Sequence, residues 1–155
     1  MSDIQIRRAV AADVPDIVAM LADDELGSTR EAPDDLAPYL EAFAVVDADP
    51  REFLAVAERD GRIVGTLQLT FLPGLLNRGG TRAQIEAVHV VADARGLGLG
   101  TALVSWAVEE ARRRGCWTVQ LTSNAVRVDA RRFYERLGFT ASHVGFKLPL
   151  PDAAG

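Results

Sequence analysis

The segment Arg95-Gly96-Leu97-Gly98-Leu99-Gly100-Thr101 constrains the fold of this chain more than any other feature of its sequence. It follows a β-branched run at 85–91 and precedes apolar residues at helical spacing, as a loop between a strand and a helix would. Because glycines have no β-carbon, backbone N–H groups can approach an anion closely, and the next helix N-terminus favours negative charge. The segment therefore predicts a loop that binds a phosphate or pyrophosphate group.

Three alternative interpretations of this loop are a Walker loop, a dinucleotide-binding loop and a tight turn that binds nothing. A Walker loop would place a lysine directly before Thr101, where this chain has Gly100. A dinucleotide fingerprint needs GxGxxG and an acidic residue about 20 residues later, whereas this chain has GxGxG and no acid between Cys116 and Asn124. A tight strand–helix turn that binds nothing stays open at this point.

The length of 155 residues predicts one domain, since domains commonly hold about 100–200 residues. A single cysteine, Cys116, excludes an intrachain disulfide and a cysteine-rich zinc site, and it fits a reducing compartment. Two histidines without ligand spacing indicate no metal. We expect a cytoplasmic protein without a membrane partner, because no signal-peptide pattern and no apolar run of roughly 20 residues are found.

Charge is distributed unevenly along the chain. Residues 1–77 hold 15 acidic and 6 basic residues, whereas residues 78–155 hold 7 acidic and 11 basic residues. A nucleic-acid-binding protein would be expected to be basic, so no nucleic-acid partner is predicted for a chain of net charge −5. The basic half contains the glycine segment.

Hydrophobic spacing predicts an α+β (mixed α/β) fold. The turn signal Asp60-Gly61 predicts a hairpin between two of its strands. The predicted strands lie at 4–6, 53–58, 63–71, 85–91 and 117–121, with a final strand pair over 139–148; the predicted helices begin at Asp13, at Asp34 or Asp35, after the glycine segment and at Asp129.

Three segments in this order resemble the GNAT superfamily of acyl-CoA N-acyltransferases. Arg95, Gly98 and Gly100 match its Arg/Gln-x-x-Gly-x-Gly/Ala motif, and the strand at 85–90 and the run Phe133–Phe139 are similar to family segments. The resemblance covers nearly the whole chain. It implies a single domain over 1–150 with a tail at 151–155, and a mostly antiparallel twisted sheet of six to seven strands flanked by about four helices.

Two positions depart from the usual family pattern. Ala92 stands where many members have proline, and Arg127 stands where many have an asparagine seven residues before Tyr134. Asn124 lies ten residues before Tyr134 instead. This longer spacing resembles the branch that includes aminoalkylphosphonate N-acetyltransferases.

The resemblance implies acetyl-CoA as co-substrate and assigns its contacts. The pyrophosphate contacts would come from Arg95, Gly96, Gly98, Gly100 and Thr101. A backbone N–H at Val88 would stabilise the oxyanion, and Val90 would pair with the pantetheine arm like an added strand. Asn124 would either hydrogen-bond the pantetheine amide or form a turn.

Glu86 and Tyr134 are the predicted catalytic residues. Strand alternation places Glu86, Val88 and Val90 on one face, away from His89, and burial there would raise the pKa of the carboxyl towards that of a general base. The alternative is a structural salt bridge from Glu86 to Arg82 or Arg95. A phenol with an ordinary pKa of about 10 can protonate the departing thiolate, whereas the alternative for Tyr134 is a core aromatic.

The predicted reaction is acetyl transfer from acetyl-CoA to a primary amine of a small molecule or protein, by direct attack in a ternary complex. The alternative is a non-catalytic acyl-CoA-binding sensor or regulatory module. Ten acidic residues within 23–52 would favour a cationic acceptor or would only solvate helix faces, whereas the phosphonate-like branch favours an anionic one. Family precedent also implies a homodimer.

Overall fold

The computed structural model describes residues 3–24 and 26–151. Two compact units divide the chain, Met1–Gln120 and Leu121–Gly155. The first unit holds the β-sheet and the helices that pack on it, and the second holds one further helix. Of the predicted tail, residues 152–155 lie outside the described residues, as does Glu25 of the acidic stretch.

The secondary structure of the described residues contains five strands and six helices. Helix α4 is a single turn in which Asn77 and Arg78 adopt left-handed φ angles. The elements in chain order are β1 (Gln5–Arg8), α1 (Val14–Ala22), α2 (Gly27–Arg30), α3 (Ala37–Ala48), β2 (Glu52–Arg59), β3 (Arg62–Leu72), α4 (Leu76–Gly79), β4 (Arg82–Val90), α5 (Leu99–Arg113), β5 (Thr118–Gln120) and α6 (Val128–Arg136).

The strands form one sheet in the order β1-β2-β3-β4-β5. Strands β1 to β4 are antiparallel neighbours, and β5 is parallel to β4. This architecture confirms the α+β class and the mostly antiparallel sheet. The hairpin signal is also confirmed, because Asp60 and Gly61 both have the positive φ angles of a tight turn between β2 and β3.

The strand count is lower than the predicted six to seven. The described residues contain no strand over 139–148, where the alternating apolar pattern predicted a final pair. Val144, Phe146 and Leu148 are 78%, 92% and 85% exposed, so their apolar side chains are not packed in a core. Period-2 spacing alone is therefore not sufficient to form a strand here, since a strand also needs a backbone partner.

One face of the sheet packs against α5. Leu67 and Leu69 of β3 and Leu103 of α5 are fully buried. A β-carbon at Gly65 would lie 2.8 Å from Leu103 Cδ1, so the glycine permits the close approach of helix and strand. A second apolar cluster joins α1 to the sheet through Ile17, Met20, Val56 and Ile63.

Asp13 occupies the N-cap position directly before α1, but its side chain makes no capping hydrogen bond to that helix. Its Oδ2 accepts hydrogen bonds from the Val10 backbone N at 2.8 Å and from Arg7 Nη1 at 2.8 Å. Arg7 Nη2 also donates to Asp13 Oδ1 at 3.1 Å. The hydrogen bonds from the Arg7 guanidinium hold the pKa of the buried Asp13 carboxyl below its ordinary value. The carboxylate therefore ties β1 to the start of α1.

Two other helix starts also differ from prediction. Helix α3 begins at Ala37 rather than at Asp34 or Asp35, with a proline in its first turn, where the missing N–H costs nothing. Helix α6 begins at Val128, and Arg127 rather than Asp129 occupies its N-cap.

We predict that Asp13→Asn lowers the free energy of unfolding at pH 7 by about 2 kcal/mol, because it removes a charge-assisted pair from a buried site. The folded-state pKa is depressed, so this stabilisation is present above the unfolded-state pKa and is lost as the pH falls through the folded-state pKa. The difference between the two proteins should therefore be largest near pH 7 and smaller at pH 3. Urea unfolding at both pH values measures it.

The matched control is Asp93→Asn, because Asp93 also pairs with an arginine, Arg62, at 3.0 Å, but on the surface. This substitution should change the free energy of unfolding little at either pH. Equal effects of the two substitutions would contradict the role given to Asp13.

Candidate active site

Strand β4 contains a β-bulge beside the predicted base. Thr66 of β3 pairs with His89 and Gln68 pairs with Glu86, so one residue of β3 faces two residues of β4. Ala87, directly after Glu86, has a φ of 53°, a left-handed conformation that is strained for a residue with a β-carbon. Strained backbone of this kind is concentrated at functional sites.

The bulge overturns the predicted alternation of side chains along β4. Strict period-2 spacing would put His89 on the face opposite Glu86. The two residues instead face Thr66 and Gln68, which are two positions apart on β3 and share a face. The extra residue in β4 therefore brings His89 to the face that carries Glu86.

One edge of β4 is open beyond Gln84. Strand β5 pairs with β4 only from Arg82 to Gln84, and none of the other strands described pairs with that edge over 85–90. Val88 and Val90, the residues predicted to contact the cofactor through their backbone, lie in this unpaired part and are half-buried. The edge can therefore accept a further extended group as a hydrogen-bonding partner.

The glycine-rich loop joins the end of β4 to α5. Gly96 and Gly98 have φ angles of 82° and 81°, and a β-carbon at either position would point into open space. Glycine is therefore required there by backbone conformation rather than by contact with neighbouring protein atoms. Gly98 is the N-cap of α5 and supplies no side-chain cap to the first-turn N–H groups.

The remaining predicted loop residues surround the helix start. Arg95 is exposed and its Nε donates to the Val90 backbone O at 3.2 Å, which fixes the loop against the end of β4. Gly100 and Thr101 lie in the first turn of α5, and Thr101 is exposed. The loop thus combines a helix N-terminus, which favours an anion, with an exposed arginine three residues before the N-cap.

Glu86 is exposed, contrary to the burial predicted from strand alternation. Glu86 alternates with the buried Ala83 and Ile85, so it lies on the opposite face of β4, and this face is polar rather than buried. It forms neither predicted salt bridge, because Arg82 contacts Gln120 and Arg95 contacts Val90. Its Oε1 accepts a hydrogen bond from Gln84 Nε2 at 3.0 Å.

Gln84 is a neighbour of Glu86 that the sequence interpretation missed, and Arg82 was considered there only as a salt-bridge partner of Glu86. Strand β4 begins at Arg82, three residues before its predicted start. The signal was present as alternation, since Arg82, Gln84 and Glu86 are separated by the buried Ala83 and Ile85. Polar residues at every second position indicate a strand with one polar face.

Tyr134 lies on α6, in the second unit. Its ring packs edge-on against Phe133 and Phe139, with centroids 5.0 and 5.9 Å away. Burial raises the pKa of the phenol, and the charge of Arg127 partly offsets this. A raised pKa keeps the hydroxyl protonated at neutral pH, as a proton donor requires.

Asn124 precedes α6 and forms a turn. Its Oδ1 accepts from the Val126 backbone N at 3.1 Å, and its backbone O accepts from the Arg127 N at 2.9 Å. These contacts form the turn that the sequence analysis gave as the alternative to a pantetheine contact of Asn124.

Several acids of the 23–52 stretch have partners within the protein. Glu31 accepts from Tyr39 Oη at 2.9 Å and pairs with Arg30. Asp49 pairs with Arg51, and Glu52 accepts from Gln68 and Thr70. These contacts favour a structural role for part of the acidic stretch over a role in binding a cation.

Among the residues that the structure describes, no group of three His, Cys, Asp or Glu side chains is placed to hold a metal ion, and no helix is long and apolar enough to cross a membrane. Burial raises the pKa of the Cys116 thiol, which disfavours the reactive thiolate.

Comparison with known proteins agrees with this geometry. A sequence model of the Acetyltransferase (GNAT) family matches residues 16–139. The aminoalkylphosphonate N-acetyltransferase of Salmonella typhimurium is 30% identical over 145 residues, which cover 92% of this chain and 88% of that protein.

Two solved structures extend the similarity to the fold. A transcriptional regulator from Bacillus halodurans C-125 is 45% identical, with a TM-score of 0.92, and the match covers 96% of this chain and 100% of the other. An acetyltransferase from Trypanosoma brucei is 28% identical, with a TM-score of 0.74 and coverage of 96% and 100%. The resemblance drawn from the glycine motif is thereby confirmed, and the chain belongs to the GNAT family of acetyltransferases.

Proposed function

We propose that this protein transfers the acetyl group of acetyl-CoA to a primary amine by direct attack in a ternary complex. The observation that carries the proposal is the open edge of β4, which runs from Glu86 through the bulge towards the glycine-rich loop. A carboxylate, unpaired backbone and the glycine-rich loop follow one another along this strand, which supports the proposal. The setting we propose is the cytoplasm, with a homodimer as the assembly.

The residues of the first unit fit acetyl-CoA. The N–H groups at the start of α5 and the Arg95 guanidinium would hold the pyrophosphate, with Gly96, Gly98, Gly100 and Thr101 forming the loop around it. Backbone groups of Val88 and Val90 would pair with the pantetheine arm along the open edge, as an added strand does. Asn124 belongs to the second unit, and its proposed contact with the pantetheine arm rests on the family resemblance alone. When bound, acetyl-CoA supplies the thioester that the amine attacks.

Glu86 would act as the general base, directly or through one water. Its carboxylate takes one proton from the acceptor ammonium, which leaves a neutral amine with a free electron pair. Exposure of the side chain gives an acceptor access to it. The Val88 backbone N–H would then donate to the oxyanion that forms when the nitrogen bonds to the carbonyl carbon.

Tyr134 would act as the general acid. As the carbon–sulfur bond breaks, its phenol gives a proton to the departing thiolate. The nitrogen then loses its extra proton, either to the phenolate, which restores the phenol, or to solvent. Burial keeps the pKa of this phenol above its ordinary value, so it remains protonated until the thiolate develops. Direct attack needs no acyl-cysteine, in agreement with the raised pKa of Cys116.

A non-catalytic acyl-CoA-binding regulator is the second candidate. The 45% identical structure from Bacillus halodurans is described as a transcriptional regulator, which favours it. A sensor would need the glycine-rich loop but neither Glu86 nor Tyr134. Release of free thiol from acetyl-CoA in the presence of an amine distinguishes the two candidates.

We predict that the protein releases thiol from acetyl-CoA with at least one amine of a panel that contains an aminoalkylphosphonate, a polyamine, an amino sugar phosphate and a peptide with a free N-terminus.

Glu86→Gln should lower kcat about 100-fold or more, because a general base contributes roughly that factor. Asp60→Asn, an exposed turn substitution, is the control and should leave kcat unchanged. Wild-type activity in Glu86→Gln would remove the carboxylate from the mechanism.

We predict that Gly98→Ala weakens acetyl-CoA binding about 10-fold, because a β-carbon disfavours the left-handed backbone by roughly 1–2 kcal/mol and points into the proposed site. Isothermal titration calorimetry measures the dissociation constant. Gly74→Ala is the matched control, since Gly74 has open space around it and no left-handed φ. Equal affinities of the two variants would show that the loop does not hold the pyrophosphate.

A further inference from the structure

A row of polar side chains crosses the sheet face that carries Glu86. Alternation along β4 places Arg82, Gln84 and Glu86 on this face. The parallel register sets Gln120 of β5 directly opposite Gln84. All four residues belong to the first unit of the chain.

The four side chains form a continuous line of hydrogen bonds. Arg82 Nη1 donates to Gln120 Oε1 at 3.3 Å, and Gln120 Nε2 donates to Gln84 Oε1 at 2.9 Å. Gln84 Nε2 then donates to Glu86 Oε1 at 3.0 Å. Arg82, Gln84 and Gln120 are half-buried, whereas Glu86 is exposed at the end of the line.

The chemistry of the two ends fixes the direction of every bond. A guanidinium only donates hydrogen bonds, and a carboxylate only accepts them. Each glutamine amide between them must therefore present its oxygen towards Arg82 and its NH2 group towards Glu86. Turning either amide over would bring two oxygens or two NH2 groups together, so the row has a single consistent orientation.

We propose that Gln84 and Gln120 are positioning residues that hold the Glu86 carboxylate at the acceptor amine, a role that rests on the proposed function. Glu86 is exposed and is followed by the bulge, so packing does not fix its side chain. The hydrogen bond from Gln84 restrains the carboxylate, and Gln120 restrains Gln84. A catalytic base needs such restraint because small misplacements of a reacting group cost rate.

Two substitutions at Gln120 separate positioning from fold stability. Gln120→Met removes the hydrogen bonds and should lower kcat about 3-fold, the value of one neutral hydrogen bond. In Gln120→Glu, the carboxylate accepts hydrogen bonds from Arg82 and also from the NH2 group of Gln84. The Gln84 amide must then turn over, which points its oxygen at the Glu86 carboxylate. It should lower kcat about 10-fold or more, while the ion pair between the introduced carboxylate and Arg82 keeps the melting temperature at or above that of Gln120→Met.

The same substitution in a second background tests the coupling to Glu86. In Glu86→Gln the residue at position 86 can donate to the reversed Gln84 oxygen, so adding Gln120→Glu should lower kcat no further. Rates are measured with acetyl-CoA and the fastest amine of the panel, together with the KM for acetyl-CoA, which should stay constant. This double-mutant cycle isolates the interaction of the two sites.

The results that would contradict the positioning role differ from those that would contradict the proposed function. A large loss in Glu86→Gln with wild-type kcat in Gln120→Glu overturns the positioning role alone. Full activity in Glu86→Gln overturns both the base and its positioning. Equal kcat losses for Gln120→Glu in the two backgrounds, or losses that follow the melting temperature, also overturn the positioning role.

Discussion

The extra residue in β4 is the constraint on which the rest of the site depends. A regular ladder would pair each residue of β4 with one of β3 and continue the alternation of side chains. The bulge at Ala87 and Val88 interrupts both. It follows Glu86 directly, brings His89 to the face that carries Glu86, and lies in the part of β4 where the opposite edge is open. The strain of a left-handed alanine is maintained because the pairs on both sides of it are intact.

The sheet has two chemically different faces at this point. The face towards α5 is apolar and closely packed, with Leu67 and Leu103 fully buried and Gly65 allowing contact. The other face carries the polar row that ends in Glu86. The apolar face fixes the strands, and the strands in turn fix the spacing of the row. Core packing therefore sets the geometry of the polar groups without contacting them.

Local features of the sequence were predictable where a single residue type meets a single geometric demand. Asp60-Gly61 gave the hairpin, and the glycine segment gave the strand–loop–helix unit, because both depend on left-handed backbone. The position of His89 on the same face as Glu86 was not predictable from alternation, because a bulge is a property of two paired strands. The expected strand pair over 139–148 failed for a related reason, since its apolar pattern does not specify a partner. The roles of Tyr134 and Asn124 came from resemblance and stay predictions.

The proposed activity is the transfer of an acetyl group from acetyl-CoA to an amine nitrogen on this protein. The most direct measurement follows acetyl-CoA labelled in the acetyl group, with the amine panel and purified protein, and quantifies free CoA thiol and labelled product by mass spectrometry. We expect one N-acetylated amine for each thiol released, with the label on the amine. Thiol release without acetylated amine, or binding of acetyl-CoA without any turnover across the panel, would contradict it.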